Sequence, residues 1–378
     1  MASDSTQSIS QPVEAGDIPE RDERSVQIRQ WAEMLTISTL AVLGAAVLFS
    51  LLLLALGTAP TEFFALLWRG GFGTWFSLQN SLVRAVPLIF TALAVAVPAQ
   101  LGLVVIGGEG ALVLGGFAAA TAALPFHGGG PTALVISAMV AAALLAGGMW
   151  IGLVGALRHY RGANETISSL LMSYLAIAIM NFFVDGPLRD PASPNKSSTL
   201  PIGDANMVGN IPGTSVHWGL AVGIALAFVI WVLMRRTTFG FAARLTGGNV
   251  RAARAQGLPV GRLIMTACAI AGACAGLAGY FEVAAVQGRA NASLAAGYGF
   301  SGILVSFLAR HNALAIVPVA ILVGGMSAAG GLIQRRLDLP DATVLLLQGT
   351  VFVVLLVSET LYGRFAVFRA KPTTHSDV

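Results

Sequence analysis

Apolar runs recur along this chain from Leu35 to Leu361, several of them as long as the about 20 residues that a helix needs to cross the hydrocarbon core of a bilayer. A soluble fold cannot hide so much apolar surface. Hydrophobic residues make up 56% of the chain and charged ones only 11%, against about a quarter charged in ordinary soluble domains. The runs predict helical spans at about 35–57, 82–99, 111–124, 133–157, 167–184, 218–234, 263–281, 300–308, 314–332 and 343–361. The fold class expected is an all-α integral membrane protein of about ten transmembrane helices. The third and eighth stretches are too short to span alone, and both follow glycine-rich segments that read as broken helices.

Three regions frame these spans: a polar tail over 1–30 without the apolar core of a signal peptide, a transmembrane domain over 31–364, and a second tail over 365–378. Both tails are expected to be cytoplasmic, and the first to be disordered. Trp31 suits an interfacial anchor. From Pro60 to Gln79 the aromatic-rich pattern of Phe63, Phe64, Trp68, Trp75 and Phe76 reads as an amphipathic helix and turn at the outer interface.

Orientation follows from arginine, because positive residues in short loops favour the cytoplasm. With the amino terminus inside, Arg158 and Arg161 fall in one inner loop. Arg235, Arg236, Arg244, Arg251, Arg254 and Arg262 fall in the next, without an acid among them. Arg364, Arg369 and Lys371 follow the last span. The outer loop from Asp185 to His217 is nearly balanced, with Asp185, Asp190 and Asp204 against Arg189 and Lys196. Arg335 and Arg336 fall outside by the same count, beside Asp338 and Asp341.

Covalent chemistry finds no footing. Neither lysine, Lys196 nor Lys371, ends a phosphate-cradling glycine loop, so ATP hydrolysis must come from a partner. Cys268 and Cys274 stand six apart on one apolar run, where a helix turns them to different faces. The histidines lack metal-ligand spacing, and no nucleophile elbow or paired-carboxylate signature is present. The reading is a conduit: not an enzyme, with no cofactor or metal of its own and no nucleic-acid partner.

Three stretches stand out. The glycine-rich segment Val104–Gly116 carries Glu109, an ionisable group at membrane depth, where broken backbone is tolerated only if buried in protein or lining a wet cavity. Glu109 reads either as a path residue or as a cap on exposed helix amides. The segment Gly162–Tyr174 places Asn164 and Glu165 at the start of a span, as cap and dipole partner. In the basic loop 235–262, Asn249 is positioned to cap a two-turn helix that Gly257 and Pro259 stop. That compact helix, carrying Arg251 and Arg254, reads as a docking element for a soluble partner. Segments 107–110 and 297–299 both lead apolar stretches and enter from opposite sides, as inverted repeats do.

These residues resemble the permease subunits of the ABC importer family for nucleosides and simple sugars, related to branched-chain amino acid and ribose permeases. The likeness runs from about Pro60 to Leu361. Asn164-Glu165-Thr166-Ile167 with Leu171, Met172 and Tyr174 is similar to one family segment, with Ser173 where Asn is common. Gly247-Gly248-Asn249 through Arg251, Arg254 and Gly257 resembles the family's ATPase-coupling loop. Gly297-Tyr298-Gly299-Phe300 is similar to a third segment. The glycine-rich segment departs from the family pattern: Val105 and Ala111 stand where Asn and Gln are usual, which puts the ligand preference in doubt.

The resemblance implies a translocation path for nucleosides or simple sugars in a bacterial plasma (inner) membrane. It also implies cytoplasmic ATPase subunits that bind ATP and Mg, a second permease, identical or similar, an extracytoplasmic substrate-binding protein, and lipid around the whole. Glu109, Ser168, Glu282 and Gln287 are the candidate path-lining residues. The alternatives are a branched-chain amino acid or ribose-type ABC permease, an ion-coupled secondary carrier, which leaves the capped basic helix unexplained, and a structural or assembly membrane protein whose glycines serve only helix packing.

Overall fold

The computed structural model describes residues 20–126, 129–193, 196–340 and 342–359. Residues 1–19 of the expected amino-terminal tail, and Arg364, Arg369 and Lys371 with the whole carboxy-terminal tail, lie outside the described residues. Thirteen α-helices follow in order: α1 (Glu20–Ala55), α2 (Pro60–Gly71), α3 (Trp75–Ala99), α4 (Gly108–Ala123), α5 (Thr132–Arg161), α6 (Glu165–Asp185), α7 (Gly219–Arg236), α8 (Thr238–Gly248), α9 (Val250–Ala255), α10 (Val260–Phe281), α11 (Tyr298–Leu308), α12 (Ala313–Leu337) and α13 (Ala342–Glu359). Among the described residues no strand forms, only two isolated bridges. The protein is an all-α membrane protein.

The described chain divides into two compact units, one made of α1 through Leu48 and α13 from Val353, the other running from Phe49 to Phe352. In the smaller unit α1 and α13 touch, Gly44 facing a Val354 methyl. Every site discussed below belongs to the larger unit.

Among the described residues seven helices are long and apolar enough to span: α3, α4 with the short turn after it, α5, α6, α7, α10 with the turn after it, and α12. The pair Thr39–Ala55 and Pro60–Gly71, bent by 117°, raises this to eight if it counts as one span. Ala292–Leu308 and Ala342–Ser358 are apolar but shorter. The expectation of about ten counted these two shorter stretches as crossings as well. The predicted amphipathic unit at 60–79 is likewise divided. It breaks at Thr74, whose hydroxyl oxygen accepts the Ser77 amide at 3.0 Å, so α3 starts at Trp75 and not at Leu82.

Burial explains the centre of the bundle. The apolar window of α3 is 78% buried and that of α10 61%, whereas that of α6 is only 28% buried and faces outward. A helix that is apolar on all sides belongs inside a bundle, and α3 packs against α10, α11, α12 and α7. Without water to drive association, helices in a membrane gain by close van der Waals contact through small residues. α10 does this against α5. A Cβ on Gly272 would run into the Gly147 carbonyl oxygen, and one on Gly276 into that of Ala143. Cys268 and Cys274 are buried in the same contacts, Cys268 against Gly155, which fits the packing role read from their spacing.

Gly272→Val is expected to force α5 and α10 apart at backbone, where no flexible side chain can yield, at a cost of about 3 kcal/mol or more. A fall in the thermal midpoint of the purified chain checks this. Gly349→Ala, which meets open space, should leave the midpoint unchanged.

Candidate path site and coupling loop

The break between α3 and α4 builds the site. Pro98 and the left-handed Gly102 end α3, and the chain runs extended from Leu103 to Ile106 before α4 begins at Gly108. Backbone without helix partners must find them elsewhere at this depth, and α6 supplies them. The Thr166 hydroxyl donates to the Val104 carbonyl at 2.8 Å, Ser169 Oγ accepts the Ile106 amide at 3.0 Å, and Ser173 Oγ accepts the Gly110 amide at 3.3 Å. Asn164 starts α6 as the sequence predicted, its side chain accepting from Thr166 and Ile167, while Glu165 pairs with Arg158 at 3.3 Å.

Glu109 lies in the first turn of α4 and is 1% exposed. Its two carboxylate oxygens accept from the amides of Gly297 and Gly299, at 2.7 and 2.5 Å. It therefore caps α11 from another helix, with its negative charge at the positive ends of both α4 and α11. The two glycine-rich segments that sequence pairs as repeats meet here. Gly299 has no room for a Cβ, which would strike the Glu109 amide nitrogen. Of the two readings of Glu109, the geometry shows the cap.

The π-helical turn Glu282–Gln287 continues α10 and brings the next two candidates together. Residues five apart share a face of a π-turn, and Gln287 hydrogen-bonds to the Glu282 carboxylate. Both line a polar cavity of about 560 Å³ with Lys196, Ser198, Arg289 and Tyr298. The loop 190–208 is stitched above the turn by backbone bonds from Thr199 to Ala290, Ile202 to Gly288 and Val208 to Ala284, and by an Arg289–Asp190 pair at 3.8 Å. Two buried polar atoms in this neighbourhood have no hydrogen-bond partner: Gln287 Oε1 and Arg84 Nε. Arg84 and Glu109 both act electrostatically on Glu282. An acceptor and a donor left open beside a carboxylate are what a polyhydroxylated solute can satisfy.

Ser168 does not join this group. Its hydroxyl donates to the Asn164 carbonyl at 2.6 Å, a local bond at the start of α6. Ser169 and Ser173, one and five positions on, are the serines that turn inward, onto the break before α4 and its first turn. Arg84 and Tyr298 were missed as well. A lone arginine two residues inside a predicted span was the available signal for Arg84. Val105 and Ala111, where the resembling family carries Asn and Gln, are buried in the apolar core.

The basic loop folds as two short helices. α8 packs Gly247 against the Gln100 carbonyl, at a distance no Cβ allows. Asn249 then caps α9, accepting from Arg251 and Ala252 at 3.0 and 3.1 Å, and the left-handed Gly257 stops it. Ala253 is buried beneath, so Arg251 and Arg254 stand exposed, as do Gly248 and Asn249.

Comparison with known proteins agrees with this architecture. Residues 77–356 match the family described as the permease component of the branched-chain amino acid transport system. The glucose ABC transporter permease protein TsgB13 of Haloferax volcanii is 31% identical, over 87% of this chain and 88% of its own. The guanosine ABC transporter permease protein NupP of Bacillus subtilis is 28% identical, over 89% and 97%. The probable riboflavin import permease protein RfuC of Treponema pallidum is 22% identical, over 84% of each. The chain belongs to this permease family and is the membrane permease subunit of an ABC importer.

Glu109→Ala should leave two buried amides without acceptors, at about 1–3 kcal/mol each. The expected outcome is a large drop in thermal midpoint, with Glu109→Gln retaining part of the stability because its amide oxygen can still accept one bond.

Proposed function

We propose that this subunit forms the translocation path for nucleosides or simple sugars in a bacterial inner membrane, with both termini cytoplasmic. The observation that carries the solute class is the polar cavity lined by Glu282, Gln287, Arg289 and Tyr298, with Arg84 acting electrostatically on the Glu282 carboxylate. Glucose and guanosine, named for two of the relatives, share a hydroxyl-rich sugar ring. A carboxylate accepts from such hydroxyls, an arginine donates to them, and Tyr298 offers a face on which a ring can rest. Glu109 contributes from behind, holding α11 and hence Tyr298 in place.

Energy enters from the other end. α9 is a compact capped helix with two exposed arginines, and we assign Gly247, Gly248, Asn249, Arg251, Arg254 and Gly257 to the contact with cytoplasmic ATPase subunits. Those subunits bind ATP and Mg. A second permease, the same or similar, completes the path, and an extracytoplasmic binding protein delivers the solute to the loop above the cavity. ATP-driven closure of the ATPases supplies the differential binding that shifts the permease between inward-open and outward-open states. α8 links the two ends, since it abuts the carboxy-terminal turn of α3, and α3 carries Arg84.

Gentle solubilisation of the tagged chain from its native membrane, with mass spectrometry of what remains bound, should recover an ATPase and a permease. Recovery of the chain alone would overturn the ATP-driven reading. Exchanging Arg251 and Arg254 for glutamate should abolish ATPase association without lowering the thermal midpoint. In uptake measurements Glu282→Ala and Gln287→Ala should each raise the KM for solute about tenfold, the equivalent of one or two hydrogen bonds. Ser168→Ala should transport normally, and normal uptake by both cavity variants would remove the path assignment.

A further inference from the structure

A second cavity, of about 390 Å³, opens at the opposite end of the bundle from the polar cavity, where α3 and α7 end and α12 begins. Its charge is one-sided. Arg235 from the end of α7, Arg244 from α8, which also donates to the Met234 carbonyl, and Arg310 from the turn before α12 line it together with Gln100 and His311, and among the described residues no acidic side chain is in its walls. The inner basic loops that supply Arg235 and Arg244 contain no acid either. The amino terminus of the 25-residue helix α12 faces the same space through Asn312 and Ala313, adding the positive end of a helix dipole.

Backbone strain marks the spot. Arg310 and His311 are consecutive non-glycine residues with φ of 51° and 55°, in the left-handed region that side-chain-bearing residues rarely occupy. The turn is held by the His311 amide on the Ser306 carbonyl at 2.8 Å, by the His311 ring on Ser306 Oγ at 2.9 Å, and by Gln100 donating to the His311 carbonyl at 3.4 Å. Glycine would adopt this turn without cost, yet the chain keeps two large basic side chains there. Their position beside Arg235 and Arg244 gives the strain a use.

Depth and surroundings identify the ligand. Trp231, half-buried, lines the cavity beside the buried Ile230, and Arg236 lies over the Trp231 ring at 5.8 Å. A tryptophan in contact with arginine is what the headgroup level of a bilayer selects. Directly along α7, Phe228 and Val229 are more than half exposed, giving an apolar track that leads out of the cavity. A charged recess at the end of an exposed apolar track fits a molecule with an anionic head and an acyl tail. A free anion leaves the track unused. We infer that this cavity binds the phosphate of an anionic phospholipid from the leaflet on the arginine-rich side, with its tail along α7.

The site is separate from the solute path and bears on coupling. Arg244 sits on α8, whose Gly247 abuts the Gln100 carbonyl, so a phosphate between Arg235, Arg244 and Arg310 would tie α8 to the ends of α3 and α7. The lipid would thereby brace the helix that leads into α9.

The test places the full chain in phosphatidylcholine nanodiscs and measures immobilisation of spin-labelled phosphatidylglycerol against spin-labelled phosphatidylcholine. The expected preference for phosphatidylglycerol is on the order of tenfold, given several arginines near one phosphate. Arg235→Gln, a change at an exposed side chain, should cut the preference several-fold. The combined Arg235→Gln, Arg244→Gln, Arg310→Gln variant should abolish it, and Arg251→Gln with Arg254→Gln, on α9 outside the cavity, should keep it. Equal immobilisation of both lipids by the unaltered chain would overturn the inference, as would an undiminished preference in Arg235→Gln. If inorganic phosphate at matched ionic strength removes the preference, the ligand is a soluble anion and the lipid assignment fails.

Discussion

One carboxylate holds two helix starts together. Glu109 stands in the first turn of α4 and accepts amides at the start of α11, and glycines flank both starts, Gly108 beside Glu109 and Gly297 and Gly299 around Tyr298, with Gly299 too close to the Glu109 amide for a Cβ. Everything near the polar cavity depends on this joint. Without it the first amides of α11 would be buried and unsatisfied, at membrane depth where water cannot repair the loss. The joint also fixes where Tyr298 points its ring, and it sets a second negative charge behind Glu282. A charge in this position is costly unless it has structural work. Two charge-assisted hydrogen bonds and two helix dipoles provide that work.

The same economy runs through the bundle. The broken stretch 103–106 is tolerated because hydroxyls of Thr166 and Ser169 satisfy it, and Ser173 does the same for the Gly110 amide in the first turn of α4. α10 meets α5 through glycine on carbonyl, contact by van der Waals packing alone. Rigid packing around α3 and α10, with open hydrogen-bonding groups confined to one neighbourhood, separates scaffold from path. The π-turn at Glu282–Gln287 is the part assigned to the proposed path. Inserting one residue into a helix turns its side chains out of the packing register, and here that aims a carboxylate and an amide into the cavity.

Charge divides the ends. One end presents a mixed, loop-covered cavity with Lys196, Arg289 and Glu282; the other presents arginine without acid, in the α7 to α10 loops and around the 310–311 turn. The proposed solute, ATPase and lipid contacts follow that division. The hydroxyl-rich solute meets donors and acceptors together, while the soluble partner and the anionic headgroup meet cations.

The sequence by itself determined the membrane class, because apolar runs of spanning length leave a chain no other place to fold. It also placed Asn164 and Asn249 as caps, because capping is settled within three residues of chain. It identified Glu109 as costly and offered cap and path as its readings. What it could not decide was which amides Glu109 would meet, for they lie nearly two hundred residues on and only packing brings them near. The inward choice of Ser169 and Ser173 over Ser168 was decided in the same way. α6 is apolar all around, so its periodicity marks no buried face, and only the non-helical stretch 103–106 beside it selects one. Helix count, read as about ten against seven or eight helices of spanning length among the described residues, is open for a related reason: length and hydropathy mark an apolar helix, but whether it crosses or stops half-way depends on what caps its end inside the protein. The site is tertiary in origin, since Arg84, Glu109, Glu282 and Tyr298 come from separate elements and each, read alone in sequence, has an ordinary structural explanation.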